Sequence, residues 1–147
     1  MRVVVTGSSG VVGRRACLRL AEEGYEVIGL DRRSSVAPPG VEIHTVDLAV
    51  TDLRVALADA DTVVHLAAGV RAHSDAPSGE SLVLAQRLLV AADQVGVLHL
   101  VVRSSATVYG AWTDNPIPLT EDAPVRPSPE FPFASRIVWS GRGAGRE

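Results

Sequence analysis

The β-branched run Val3-Val4-Val5 breaks into the glycine-rich stretch Thr6-Gly-Ser-Ser-Gly-Val-Val-Gly13, and helical spacing of apolar residues begins within that stretch. An unbroken apolar run of this kind fits a strand buried on both faces of a parallel sheet better than one with a wet face. Val12, Ala16, Cys17 and Leu20 then recur at helical intervals up to Gly24, which predicts a helix over about 11–23. In the order strand, turn, helix, each glycine has a physical task. Gly7 permits the tight turn, Gly10 removes a Cβ where a ligand approaches the backbone, and Gly13 lets the helix pack closely on the strand. The unpaired amides of the helix start, backed by its dipole, are expected to face phosphate oxygens, with Ser9, Gly10, Val11 and Val12 counted among the cofactor-binding residues.

The alternation continues down the chain. Strands are predicted over 26–30, 41–46, 62–66 and 98–102, and helices over 53–57 and 81–95, with Pro38-Pro39-Gly40 as a loop. Strands alternating with helices imply parallel pairing, so the fold class is α/β: a doubly wound, Rossmann-like sheet of about five strands with flanking helices. Beyond Tyr109, the prolines at 116, 118, 124, 127, 129 and 132 exclude regular helix and central strand, which leaves an irregular Pro-rich segment. One dinucleotide-binding domain is expected over 1–133, incomplete on its C-terminal side, with 134–147 a disordered Gly/Arg-rich tail.

With 147 residues, 46% of them hydrophobic, the chain can bury a genuine core. Its net charge of -3 and scattered arginines speak against a nucleic-acid partner. Cys17 is the sole cysteine, which excludes an internal disulfide, and it reads as a small buried apolar residue. The four histidines lack metal-ligand spacing, so no metal is expected, and His73-Ser74-Asp75 reads as a solvated loop. With neither a basic leader nor a membrane-length apolar run, the expectation is no membrane contact and a cytoplasmic protein.

Asp31 closes the second strand, eighteen residues beyond Gly13, where a carboxylate accepts both ribose hydroxyls of NAD. A 2′-phosphate would meet like charge there, although Arg32 and Arg33 follow at once and can pair with it. NAD is therefore favoured, with NADP possible.

The Gly-x-x-Gly-x-x-Gly spacing resembles that of the extended short-chain dehydrogenase/reductase family, which includes sugar-nucleotide epimerases and dehydratases. Three further segments resemble it in order: Asp47-Leu48, His65-Leu66-Ala67-Ala68, and Ser104-Ser105-Ala106-Thr107-Val108-Tyr109-Gly110. Pro118-Leu119-Thr120-Glu121-Asp122 is similar to a family loop as well. The resemblance implies that Asp47 and Leu48 contact adenine, and that Leu66, Ala67 and Ala68 line the cofactor. It further implies that Ser105 hydrogen-bonds the group of a small-molecule substrate, such as a nucleotide sugar, that exchanges hydride with nicotinamide. Without it, Ser104 and Ser105 read as turn residues satisfying backbone groups. Trp112 and Asn115 read equally well as substrate contacts or as loop anchors.

The pattern also breaks. Family chemistry rests on a Tyr whose phenol is acidified by a Lys four residues on. Here Phe133 and Ile137 stand at those positions, and Arg136 holds its proton in a different geometry. An Asn of the preceding helix is replaced, with Ser81 its nearest equivalent. The match collapses near Ala134, where family members continue for about as many residues again, so a truncated or frameshifted reading frame is hypothesised; the coding DNA in all three frames tests it. Two other readings are a non-catalytic NAD(P)-binding sensor and an inactive fragment. An exposed fifth strand would favour association, for instance as a homodimer.

Overall fold

The computed structural model describes residues 1–67 and 80–129. They divide into two units, Met1–Arg103 and Ser104–Glu147.

In the first unit five parallel strands alternate with helices. They are β1 (Arg2–Thr6), β2 (Glu26–Asp31), β3 (Val41–Thr45), β4 (Thr62–His65) and β5 (His99–Val102), with α1 (Val11–Glu22), α2 (Leu53–Ala56) and α3 (Glu80–Gln94) between them. The strand order is β3-β2-β1-β4-β5, with β1 at the centre. Register explains where the strands end. Arg2 pairs with Glu26 and Thr6 with His65, so the ladder takes in polar residues at both ends of the valine run.

Alternation along β1 divides the core. Val3 and Val5 pack with Cys17, Val27 and Val41 in one cluster, whereas Val4 joins Leu30, Leu53, Leu57, Val63 and Leu88 in the other. The strand is thus wetted on neither side, which is why it reads as consecutive valines rather than as an alternating pattern. Cys17 is fully buried, as expected, and burial pushes its thiol up to about 11. α1 closes where the Tyr25 amide returns to the Leu20 carbonyl, 3.1 Å away, beyond Gly24.

The two sheet edges differ. β3 presents an exposed Glu42–His44 pair at 2.6 Å. On β5, Val101 and Val102 are 53% and 43% exposed, and the adjoining Leu98 is 73% exposed. Beyond β5 the sheet carries no further strand among the described residues.

The described part of the second unit is irregular apart from a 3₁₀ turn over Ala106–Tyr109, in keeping with its prolines. Side chains hold it together. Trp112 Nε1 donates to the Arg126 carbonyl at 2.6 Å, Asn115 Nδ2 donates to the Gly110 carbonyl at 2.9 Å, and Arg126 grips Asp114 through two bonds of 3.0 and 3.2 Å. These bonds make Trp112 and Asn115 anchors of the loop, with Trp112 still 40% exposed. The expected tail over 134–147, the Phe133–Ile137 segment, His73-Ser74-Asp75 and Ala68 lie outside the described residues.

Candidate dinucleotide site

The glycine loop is built as its sequence requires. Gly7 sits at φ +74°, and a Cβ there would lie 2.7 Å from the Ala67 amide nitrogen, so both backbone and space demand glycine. A Cβ on Gly13 would collide with the Gly7 carbonyl oxygen, which is how closely the first turn of α1 lies on the loop. Gly10 is different. Its φ of −74° and ψ of 164° suit any residue, and a Cβ would meet only the Gly7 carbonyl, at 3.3 Å. The protein's own packing therefore asks less of glycine at position 10 than at 7 or 13, although a side chain there would still crowd that carbonyl. Gly10 caps α1 without a side-chain acceptor, and the first turn holds no acidic residue, so nothing in the helix start repels an anion. Val11 and Val12 follow with side chains 77% and 53% exposed.

Asp31 ends β2 with only 9% exposure, and its carboxylate is fixed from two sides. The Ser9 amide donates to Oδ2 at 3.1 Å and the Arg33 amide to Oδ1 at 2.9 Å. The acid thus stands against the glycine loop. The Arg33 guanidinium lies 3.7 Å from Oδ1, and Arg32 is exposed beside it.

Three side-chain bonds that sequence reasoning did not anticipate strap the β2–β3 loop to the helix start. Ser9 Oγ donates to the Arg33 carbonyl at 3.1 Å and bonds Ser35 Oγ at 2.8 Å, while Arg14 donates to the Val36 carbonyl at 2.8 Å. Another unanticipated feature is a buried polar pair at the ends of β1 and β4, Thr6 Oγ1 and His65 Nδ1, 2.7 Å apart. Burial, with Arg103 nearby, pushes His65 down to about 4.

The remaining sequence-derived residues separate by role. Asp47 is exposed after β3 and caps a turn by accepting the Ala49 amide at 2.9 Å. Leu48 points into the core, which leaves only its backbone to meet a ligand. The Leu66 amide bonds the Thr6 carbonyl at 3.1 Å, and Ala67 abuts Gly7. In the second unit, Ser105 Oγ accepts the Thr107 amide at 3.3 Å and shares a 2.9 Å bond with the Thr107 hydroxyl, so it caps the 3₁₀ turn. Among the described residues no three His, Cys, Asp or Glu side chains group as a metal site, and no helix is long and apolar enough to cross a membrane.

Strand order, glycine turn and strand-tip acid together define a Rossmann-like doubly wound α/β protein. Residues 3–137 match the model of the NAD dependent epimerase/dehydratase family, and the chain belongs to that family. UDP-glucose 4-epimerase of Mycolicibacterium smegmatis (strain ATCC 700084 / mc(2)155) is 34% identical over 155 residues, covering 94% of this chain and 48% of the relative. UDP-glucose 4-epimerase of Bacillus subtilis (strain 168) is 29% identical over 150 residues, covering 85% and 42%. The solved structure of MoeE5 in complex with UDP-glucose and NAD superposes with a TM-score of 0.77 at 31% identity, covering 97% of this chain and 47% of that one. The chain thus spans less than half the length of these relatives.

Proposed function

We propose that this chain binds NAD through Gly7, Ser9, Gly10, Val11, Val12 and Gly13, with Asp31 on the adenosine ribose. In this reading it forms the cofactor half of an epimerase- or dehydratase-type site for a nucleotide sugar. The observation that carries the reading is the contrast among the glycines. Gly7 and Gly13 are required by the fold, whereas a Cβ on Gly10 would crowd a single carbonyl, beside helix amides without a side-chain cap and one residue from the amide that Asp31 holds. The family match and the NAD bound in the MoeE5 complex support the choice of cofactor. Asp47, the Leu48 backbone, Leu66, Ala67 and Ala68 complete the cofactor contacts in this reading, with Arg32 flanking the ribose. Ser105 contributes to the substrate side. When bound, NAD supplies a hydride acceptor that oxidises a sugar carbon and returns the hydride. Asp31 favours NAD, and Arg33 is the residue through which NADP would be tolerated.

A second reading, binding without turnover, is favoured by one observation. Phe133 and Ile137 occupy the positions of the proton-transferring Tyr and its Lys, and the sequence contains no lysine at all. Calorimetric titration with NAD and NADP, on the wild type and Asp31→Ala, separates the possibilities. Tighter binding of NAD, at least about tenfold weakened in Asp31→Ala, is expected, with no turnover of UDP-glucose. A folded wild type that binds neither dinucleotide would overturn the proposal, and turnover would overturn the second reading. We further propose a cytoplasmic homodimer, supported by exposed Val83 and Val90 one heptad apart on α3; light scattering after size exclusion and cell fractionation check the two parts.

A further inference from the structure

We infer that Arg87 is a positioning residue for adenine recognition: from α3 its guanidinium holds the turn over 47–51 in the placement from which Asp47 reads the exocyclic amino group of the adenine ring. The inference rests on the NAD-binding reading above, in which Asp47 lies on the adenine side.

The turn's own bonds close it without fixing where it stands. The Asp47 carbonyl accepts the Val50 and Thr51 amides at 3.2 and 3.0 Å, and Asp47 Oδ1 accepts the Ala49 amide at 2.9 Å. Its place in the fold comes from three other contacts. The Val46 amide donates to the Asp31 carbonyl at 2.8 Å, which ties the entry of the turn to the tip of β2, and the Leu48 side chain is sunk in the core. Arg87 holds the far side: Nε donates to the Leu48 carbonyl at 3.2 Å and Nη2 to the Thr51 carbonyl at 3.1 Å.

A planar fork on a fixed base suits this task. Arg87 shares α3 with Leu84, Leu88 and Ala91, which are buried in the same cluster as Leu48 and Leu53, so the helix that carries the guanidinium is itself held. The Leu48 side chain alone would let the turn pivot about it, whereas two carbonyls gripped by one rigid group cannot rotate independently. Asp52, the acid that follows the turn, is engaged by Arg54 at 2.6 Å, which leaves the Arg87 donors to the carbonyls. Stability alone does not call for the grip, because Arg87 is exposed and water can satisfy carbonyls at the surface in its place. With Oδ1 committed to the Ala49 amide, Asp47 Oδ2 is the oxygen left to a ligand, and its direction follows the backbone that Arg87 holds. A carboxylate oxygen accepts from the amino group of adenine and repels an oxo group at the same ring position.

The test titrates wild type, Arg87→Lys, Arg87→Met and Asp47→Ala with NAD and with nicotinamide hypoxanthine dinucleotide, in which an oxo group replaces the amino group, and records each melting temperature. The wild type should prefer NAD at least about tenfold, and Asp47→Ala should lose most of that preference. Both Arg87 variants should melt within about 2 °C of the wild type. Their preference should fall below about threefold, because NAD weakens and the analogue does not; lysine, a point charge, does not restore it. Arg87 variants that keep the wild-type preference, or that weaken both dinucleotides equally, would overturn the inference alone. A wild type that binds NAD without preferring it, or whose preference survives Asp47→Ala, would take Asp47 away from adenine and the inference with it. A wild type that binds no NAD would remove the underlying reading as a whole.

Discussion

Stability should fall steeply between pH 6.5 and pH 4 because of His65 alone. Its proton affinity is depressed from the ordinary 6.5 to about 4, chiefly by burial and secondarily by Arg103. In the unfolded chain the ring takes up a proton near pH 6.5; in the native protein it does not until about pH 4. Between those values the unfolded state binds more protons, so its free energy drops relative to the native state as pH falls. The contribution is fully present above 6.5 and lost by about 4. At about 1.36 kcal/mol per tenfold change in proton affinity, the loss comes to roughly 3 kcal/mol. That is a large fraction of the stability of a small domain. The window is clean on its acid side, because Asp52, held down to about 2 by its hydrogen bonds to Arg54, loses its contribution only below pH 4 and is exposed. Urea unfolding followed by far-UV circular dichroism at intervals from pH 7.5 to pH 4.5 measures the effect. His65→Gln, whose amide oxygen can accept the Thr6 hydroxyl but does not titrate, should flatten most of the slope. A wild type whose unfolding free energy changes by less than about 0.5 kcal/mol over this interval, or a variant with the same slope, would refute the reasoning.

The glycines give a paired test. Gly13→Ala should cost about 2–3 kcal/mol of stability, since the added methyl meets the Gly7 carbonyl, whereas Gly10→Ala should cost well under about 1 kcal/mol while abolishing calorimetric NAD binding; equal losses of stability would contradict the contrast. Cys17, buried and with its thiol raised to about 11, should react with a thiol reagent at pH 8 at least about a hundredfold more slowly than free cysteine, and more slowly still with saturating NAD. Asp114→Asn removes one partner of an exposed ion pair and should leave the unfolding midpoint unchanged; a clear drop would mean that the Arg126 hub bears more of the second unit's stability than exposure allows.

Most of the first unit was legible because buried parallel strands announce themselves as β-branched runs bounded by glycine or aspartate. β1 and β4 each differ by a residue or more at their ends, because the ladder there is set by what lies opposite: Thr6 belongs to β1 through His65, not through its own propensity. The glycine turn and Asp31 could be read directly, since their spacing along the chain is their spacing in the fold. Thr6 and His65, 59 residues apart, could not, because only register brings them together. The same holds for the strap from Ser9 and Arg14, whose partners depend on the path of the β2–β3 loop. The bond from the Trp112 indole to the Arg126 carbonyl, fourteen residues away, is likewise invisible to spacing along the chain.

The two flanks of the sheet are defended unequally. Glu42, bonded to His44, puts charge along β3, where another chain would have to strip water from it to add a strand. Among the described residues nothing comparable lies along β5, where Val101 and Val102 are half-exposed. Val101→Lys, which would carry charge onto that half-exposed edge as Glu42 does on β3, should leave the glycine turn undisturbed.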